Sequence, residues 1–272
     1  MESLAQTPLN PLREPFHGLR WTPDPQRTEL ADMIKALILT GILLCSTTLH
    51  AQTSIQDGRM VSFEADLAEG KLALYWKNES EKLLRSLATL KSYLDAQDQE
   101  LLFAMNAGMY LKNRQPQGLY IEKGDVLVEM DTLQKAFGNF YLQPNGVFFL
   151  TREGRAGVKR SDQIPALSEL EFATQSGPML LIEGKVHSAF RKGSENVHIR
   201  NGVGILPNGN PVFAISSERV NLYDFASFFQ SLGCENALYL DGYVSRMYLP
   251  SEGWNQLDGN FGAMIGYSSP RK

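Results

Sequence analysis

Cysteine is nearly absent from this 272-residue chain, which carries only Cys45 and Cys234. Two cysteines cannot build a disulfide-stapled fold or a cysteine-rich zinc site. Histidine is almost as scarce, with four in the chain, and neither His187 nor His198 has a second ligand at metal spacing. There is no His-Glu-x-x-His, no Gly-x-Ser-x-Gly nucleophile elbow and no Gly-rich nucleotide loop, so neither a metal nor a nucleotide cofactor is expected. Positive charge is not in excess: 26 Lys and Arg stand against 30 Asp and Glu, a net −4. That balance gives no basic field for nucleic acid, which is excluded as an expected partner. Nor does the apolar run Ala36–Cys45 approach the roughly 20 residues needed to span a bilayer.

That run does fit another pattern. Residues 1–32 are polar and proline-rich, then Met33-Ile-Lys introduces the apolar run, and Ser-Thr-Thr-Leu-His-Ala51 follows. A short basic start, about ten apolar residues and a small residue before a polar stretch describe a cleaved secretory signal. The reading assigns residues 1–32 to an upstream, non-native or disordered extension, with the true start at Met33 and cleavage after Ala51. Gln52–Lys272 is then the mature domain, periplasmic or extracellular, with no stable membrane insertion after signal removal. Cleavage removes Cys45 and leaves Cys234, expected as a small buried hydrophobe at a helix-to-strand junction.

The mature chain, at about 220 residues, can bury one full core. Met60–Leu67 and Lys71–Trp76 read as paired strands. Glu79–Gln97 places Leu83, Leu84, Leu87, Leu90 and Leu94 at helical spacing, and Leu101–Met105 reads as a buried strand. Three hairpins follow, turning at Glu122-Lys-Gly-Asp125, at Glu183-Gly184 and at Asn208-Gly209, the last as a two-residue turn. A helix opens at Asn221 as N-cap, ends at Gly233 and feeds the strand Ala237–Leu240. These elements predict a single α+β domain with a mixed, largely antiparallel sheet, hairpins and at least one βαβ-like crossover.

Four short polar, Gly-containing breaks interrupt the β-rich runs: Asn106-Ala-Gly-Met-Tyr110, Gln175-Ser-Gly-Pro-Met179, Arg200-Asn-Gly-Val-Gly204 and Leu240-Asp-Gly-Tyr-Val-Ser245. Loops carried on rigid strands are where binding and catalytic groups concentrate. Asp241 follows an apolar strand, where ligand sites open in sheets fed by crossovers; the same Asp-Gly also fits a hairpin turn between Ala237–Leu240 and Val244–Leu249. Arg200 lies among apolar residues and needs a partner, either a carboxylate or a bound phosphate held bidentately. On the phosphate reading, Arg200→Lys weakens phosphate-dependent binding more than folding. Ser176-Gly177-Pro178 suits either an anion-binding turn or an ordinary loop, and Asn106 with Gly108 either a site or a strand-end turn.

The order and spacing of these breaks, from about Leu101 to the end, resemble the phosphodiester glycosidase family, whose type member uncovers a sugar phosphate by removing N-acetylglucosamine. The resemblance includes Asn106–Gly108, Ser176-Gly177, Arg200 through Gly204, Val220-Asn-Leu-Tyr-Asp224 and Asn236-Ala-Leu-Tyr-Leu-Asp-Gly242, with Ser245 beyond. It implies hydrolysis of a sugar 1-phosphodiester, small or polymeric, in envelope-glycan metabolism. Asp241 and Arg200 would be catalytic, and Asn106, Gly108, Ser176, Gly177, Gly242 and Ser245 would bind substrate, with no cofactor. One departure stands out: Tyr243 and Val244 occupy positions where the family commonly has glycine. The enzyme reading requires Asn106, Ser176, Arg200 and Asp241 to face one cavity. A glycan-binding module without turnover predicts a shallow aromatic groove instead, and an assembly protein an apolar patch of several hundred Å².

Overall fold

The computed structural model describes residues 58–271, and the expectations for the upstream extension, the signal and its cleavage point fall outside them. The chain divides at Ala51/Gln52, and the described residues belong to the second unit. The fold is α+β, with its strands distributed over three sheets in which every hydrogen-bonded pair of neighbouring strands among the described residues is antiparallel.

The first, six-stranded sheet runs β1 (Met60–Glu64), β12 (Pro211–Ser216), β11 (Asn201–Ile205), β13 (Ala237–Asp241), β9 (Met179–Ile182) and β10 (Lys185–Val186). The second runs β15 (Trp254–Asn255), β14 (Met247–Leu249), β3 (Gln99–Asn106), β16 (Met264–Pro270) and β2 (Lys71–Tyr75). The third runs β5 (Asp125–Val128), β4 (Tyr120–Glu122), β8 (Leu170–Ser176), β6 (Gly146–Thr151) and β7 (Ala156–Arg160). The expected pairing of the first two strands is not found: β1 pairs with β12 and β2 with β16. Each strand buries its own apolar residues against a different sheet partner, and adjacency in sequence carried no register information.

All three sheets face one core. Phe63 of β1 stacks on Phe103 of β3 at 4.5 Å, Phe103 meets Phe213 of β12 at 5.2 Å, and Phe148 of β6 meets Phe213 edge-on at 5.6 Å. Alternation along β13 sends Leu238 and Leu240 into that core, while Ala237 and Tyr239 face a second cluster beneath helix α2 (Leu222–Ser231). The expected crossover is present: β12, α2 and β13 follow one another, and the two strands run parallel with β11 between them. Asn221 caps α2, its side-chain oxygen accepting the Asp224 N–H at 2.8 Å. Gly202 and Gly204 in β11 form the helix seat, since a Cβ there would lie 3.1 Å from Phe225 and 2.8 Å from Phe229. The Asn-Gly-Val-Gly break is thus explained in part by helix packing.

Two boundaries differ from expectation. Helix α1 spans only Leu87–Asp95, because Arg85 takes a positive φ of 67° and Ser86 caps the helix by accepting from Thr89 N–H; Leu84 is buried ahead of it. The Asn208-Gly209 hairpin joins β11 and β12 as expected, but through residues 206–210. Asn208 uses its side chain to accept the Asn210 N–H, and only Gly209 takes positive φ, so the two-residue turn expected there is not formed. Cys234 is free and buried, and burial pushes its thiol up to about 12.

Candidate functional site

Three strand ends from two sheets meet at one point. Asn106 closes β3, Asp241 closes β13, and Asn201 opens β11 as the register partner of Asp241. The chain after Asp241 does not turn back into a hairpin: β13 belongs to the first sheet and β14 to the second. The hairpin reading of Asp-Gly is therefore excluded, and residues 242–246 bridge the two sheets.

An amide network fixes this junction. Asn201 Nδ2 donates to the Asn106 carbonyl at 2.9 Å and to its Oδ1 at 3.2 Å, while the Arg246 N–H donates to the same Oδ1 at 2.9 Å. That arrangement leaves Asn106 Nδ2 to donate to Asp241 Oδ2 at 3.3 Å. The other carboxylate oxygen, Oδ1, accepts the N–H groups of Gly242 at 2.5 Å and Tyr243 at 2.7 Å. Ser245 Oγ lies within reach of the carbonyls of Ile199 and Asp241. Asp241 is 7% exposed, and burial pushes its carboxyl above the ordinary carboxylate value; the backbone N–H groups that bond it pull the other way.

Asp241 and Gly242 line a cavity of about 590 Å³. Tyr239 forms its back, and Tyr243, 93% exposed, stands at the rim. The loop after β3 supplies Tyr110, Lys112 and Arg114, and His198 comes from the segment before β11. The Arg114 guanidinium lies 5.1 Å over the Tyr110 ring. Burial, and then the charge of Asp241, raises the Tyr110 phenol. Burial and the nearby Arg200 and Arg219 hold His198 below its ordinary value. The cavity thus presents one buried carboxylate and two cations, neither in an ion pair among the described residues.

The remaining expected site residues surround this cavity without facing into it. Arg200 has no exposed surface and is held by neutral oxygens: Nε donates to Val220 O at 2.8 Å, Nη1 to Tyr239 Oη at 3.0 Å, and Nη2 to Asn196 O and Oδ1. Both proposed partners, carboxylate and bound phosphate, are replaced by carbonyl, amide and phenol oxygens, and the guanidinium ties Tyr239 to Asn196 and Val220. Asn106 and Ser245 are 1% and 3% exposed, with their polar atoms bonded internally, so neither reaches a ligand directly. Ser176 Oγ donates to the Leu240 carbonyl and fixes the residue before Asp241. Gly108 packs on the backbone of Gln175, and Gly177 on Asn145 and Phe140. Of the four side chains expected to face one cavity, Asp241 lines it, and Asn106, Ser176 and Arg200 do not.

Sequence reasoning passed over Asn201, Tyr110, Lys112, Arg114 and Tyr239. Asn201 was legible as the neighbour of Arg200; the loop residues were not, because nothing in Tyr-Leu-Lys-Asn-Arg distinguishes a lining loop from a solvated one. Gly242 has a steric task, since a Cβ there would overlap Tyr239 Oη and come within 3.3 Å of Arg200 Nη1. Gly242→Ala is accordingly expected to cost about 1–3 kcal/mol from overpacking, read as a thermal midpoint several degrees lower. An unchanged midpoint would mean that Tyr239 is free to move aside.

A phosphodiester glycosidase family model matches residues 99–264, the span from β3 into β16 that contains every residue of this junction. The uncharacterized Escherichia coli protein YigE is 37% identical over 180 residues, covering 66% of this chain and 70% of that protein. The catalytic domain of zebrafish N-acetylglucosamine-1-phosphodiester alpha-N-acetylglucosaminidase, auto-inhibited by its pro-peptide, superposes with a TM-score of 0.53 at 14% identity, over 76% of this chain and 75% of that one. A candidate exported protein of Burkholderia pseudomallei gives 0.51 at 10% identity, over 76% and 73%. At such identities the two structural likenesses speak to the fold.

Proposed function

Because this chain belongs to the phosphodiester glycosidase family, we propose that it hydrolyses the bond between a sugar's anomeric carbon and a phosphodiester oxygen. One observation carries the reading: a buried carboxylate, Asp241, shares a cavity of about 590 Å³ with Lys112 and Arg114, a pairing of opposite charges suited to a sugar phosphate. Water adds to the anomeric carbon, the carbon–oxygen bond breaks, and the phosphate departs as a monoester. A phosphate leaves without a proton, so the leaving side needs charge neutralisation more than a strong acid. Lys112 and Arg114 supply it, in place of the direct contact expected of Arg200. Ionised Asp241 stabilises the positive charge that develops at the sugar ring or takes a proton from the attacking water. Asn106, Asn201 and Ser245 act through Asp241 as positioning residues, and Arg200 through Tyr239. Tyr243, where the family commonly has glycine, offers its exposed ring to the sugar face at the rim.

Export to the envelope and action on its glycans rest on the Met33–Ala51 sequence pattern; no helix among the described residues is long and apolar enough to cross a membrane. The test is hydrolysis of sugar 1-phosphodiesters in ¹⁸O-water. Label is expected in the released sugar, and label in the phosphate would overturn the reading in favour of phosphorus attack. Tight binding with no release of either product would favour the glycan-binding module, whose support is the aromatic rim at Tyr243.

A further inference from the structure

The Asp241 cavity has a neighbour behind a hydrogen-bonded partition. Tyr239 lines the first cavity and accepts from Arg200 Nη1; Arg200 Nη2 in turn donates to Asn196, which lines a second cavity of about 390 Å³. Asn139 lines both. The second cavity is formed by the 189–196 segment and the start of α2, and it presents Arg191, Lys192 and Ser194 with no carboxylate among its lining residues. This local sign is not inherited from the chain as a whole, which is net −4. Arg160, Arg246 and Arg271 each lie against an acidic side chain, whereas Arg191 and Lys192, both exposed, are in no ion pair among the described residues. Two cations, a hydroxyl and an amide around an open concavity are the donor set for a phosphate.

We propose that this second cavity is a subsite for a further phosphate of the same substrate, so that the preferred substrate is a chain bearing more than one phosphodiester. The inference rests on the reading of the Asp241 cavity as the site of sugar 1-phosphodiester cleavage. The scissile phosphate lies by Lys112 and Arg114, and the chain continues past Asn139 to Arg191 and Lys192. Because the shelf is exposed, its contribution is sensitive to ionic strength.

Two substrates test it: a sugar 1-phosphodiester ending in methyl, and the same group extended by three glycerol-phosphate units. At low salt the extended substrate is expected to have a KM roughly tenfold lower, and the gap should close at about 0.5 M salt, where screening falls to a few Å. The double variant Arg191→Ser/Lys192→Ser should abolish the gap while kcat for the extended substrate stays as it is. A gap that survives in the double variant, or no gap in the wild type, overturns the subsite. Calorimetric binding of free oligo(glycerol phosphate) separates the two readings. Binding lost in the double variant upholds the subsite even if neither substrate is cleaved, whereas absence of binding to the wild type removes the subsite and leaves the cleavage reading untouched.

Discussion

Asp241→Asn is expected to lower turnover by roughly two to four orders of magnitude while leaving the thermal midpoint within a few degrees of wild type, or above it. The stability half follows from burial. Desolvation raises the folded-state carboxyl above its unfolded value, so its stabilising contribution is complete below the unfolded value, about 3.9, and is lost as pH rises through the folded value. At neutral pH the buried charge therefore costs stability, and asparagine removes that cost while its Oδ1 still accepts from Gly242 and Tyr243. An offset remains, because the new Nδ2 would face the Asn106 Nδ2 donor where Oδ2 now accepts. For the same reason activity should decline with falling pH at a value above that of a free aspartate, and the residual activity of Asp241→Asn should lack that limb. Steady-state rates against pH, with thermal melts of both proteins, check this. Full activity in the variant, or collapse of its fold, would assign Asp241 to architecture alone.

Arg200→Lys is expected to cost about 2–4 kcal/mol of stability, lowering the thermal midpoint by roughly 5–15 °C. This reverses the expectation drawn from sequence, which placed the loss in phosphate binding. A lysine cannot reach Val220 O, Asn196 and Tyr239 Oη together, and it carries a more strongly hydrated charge into a site with no exposed surface. Activity should fall as well, because Tyr239 loses its anchor at the back of the cavity. A Lys variant that melts like wild type yet binds phosphate poorly would return Arg200 to the substrate.

What was legible in the chain follows the range of the interactions. Turn chemistry and caps act within a few residues, and the hairpins at Lys123-Gly124 and Glu183-Gly184 and the helix cap at Asn221 form where their residues place them. The crossover β12–α2–β13 was legible for the same reason. Sheet membership was not, because it depends on which distant strand covers Phe63 or Leu74. The site was legible as a set of breaks but not as a division of labour. Asn106, Arg200 and Asp241 are all polar residues beside apolar strands, and only their contacts separate the carboxylate that lines the cavity from Asn106, which bonds it, and Arg200, which bonds Tyr239. In the Asn-Gly-Val-Gly break the two glycines clear space for Phe225 and Phe229.

The Asp241 cavity is walled by segments hung from three different sheets: Asp241 and His198 from the first, Tyr110 through Arg114 from the second, and Asn139 from the β5–β6 connection of the third. Its gape is consequently a property of the interior. The packed rings of Phe63, Phe103, Phe213 and Phe148 act as spacers between the sheets, and a change of ring size there would open or narrow the mouth without touching a lining residue.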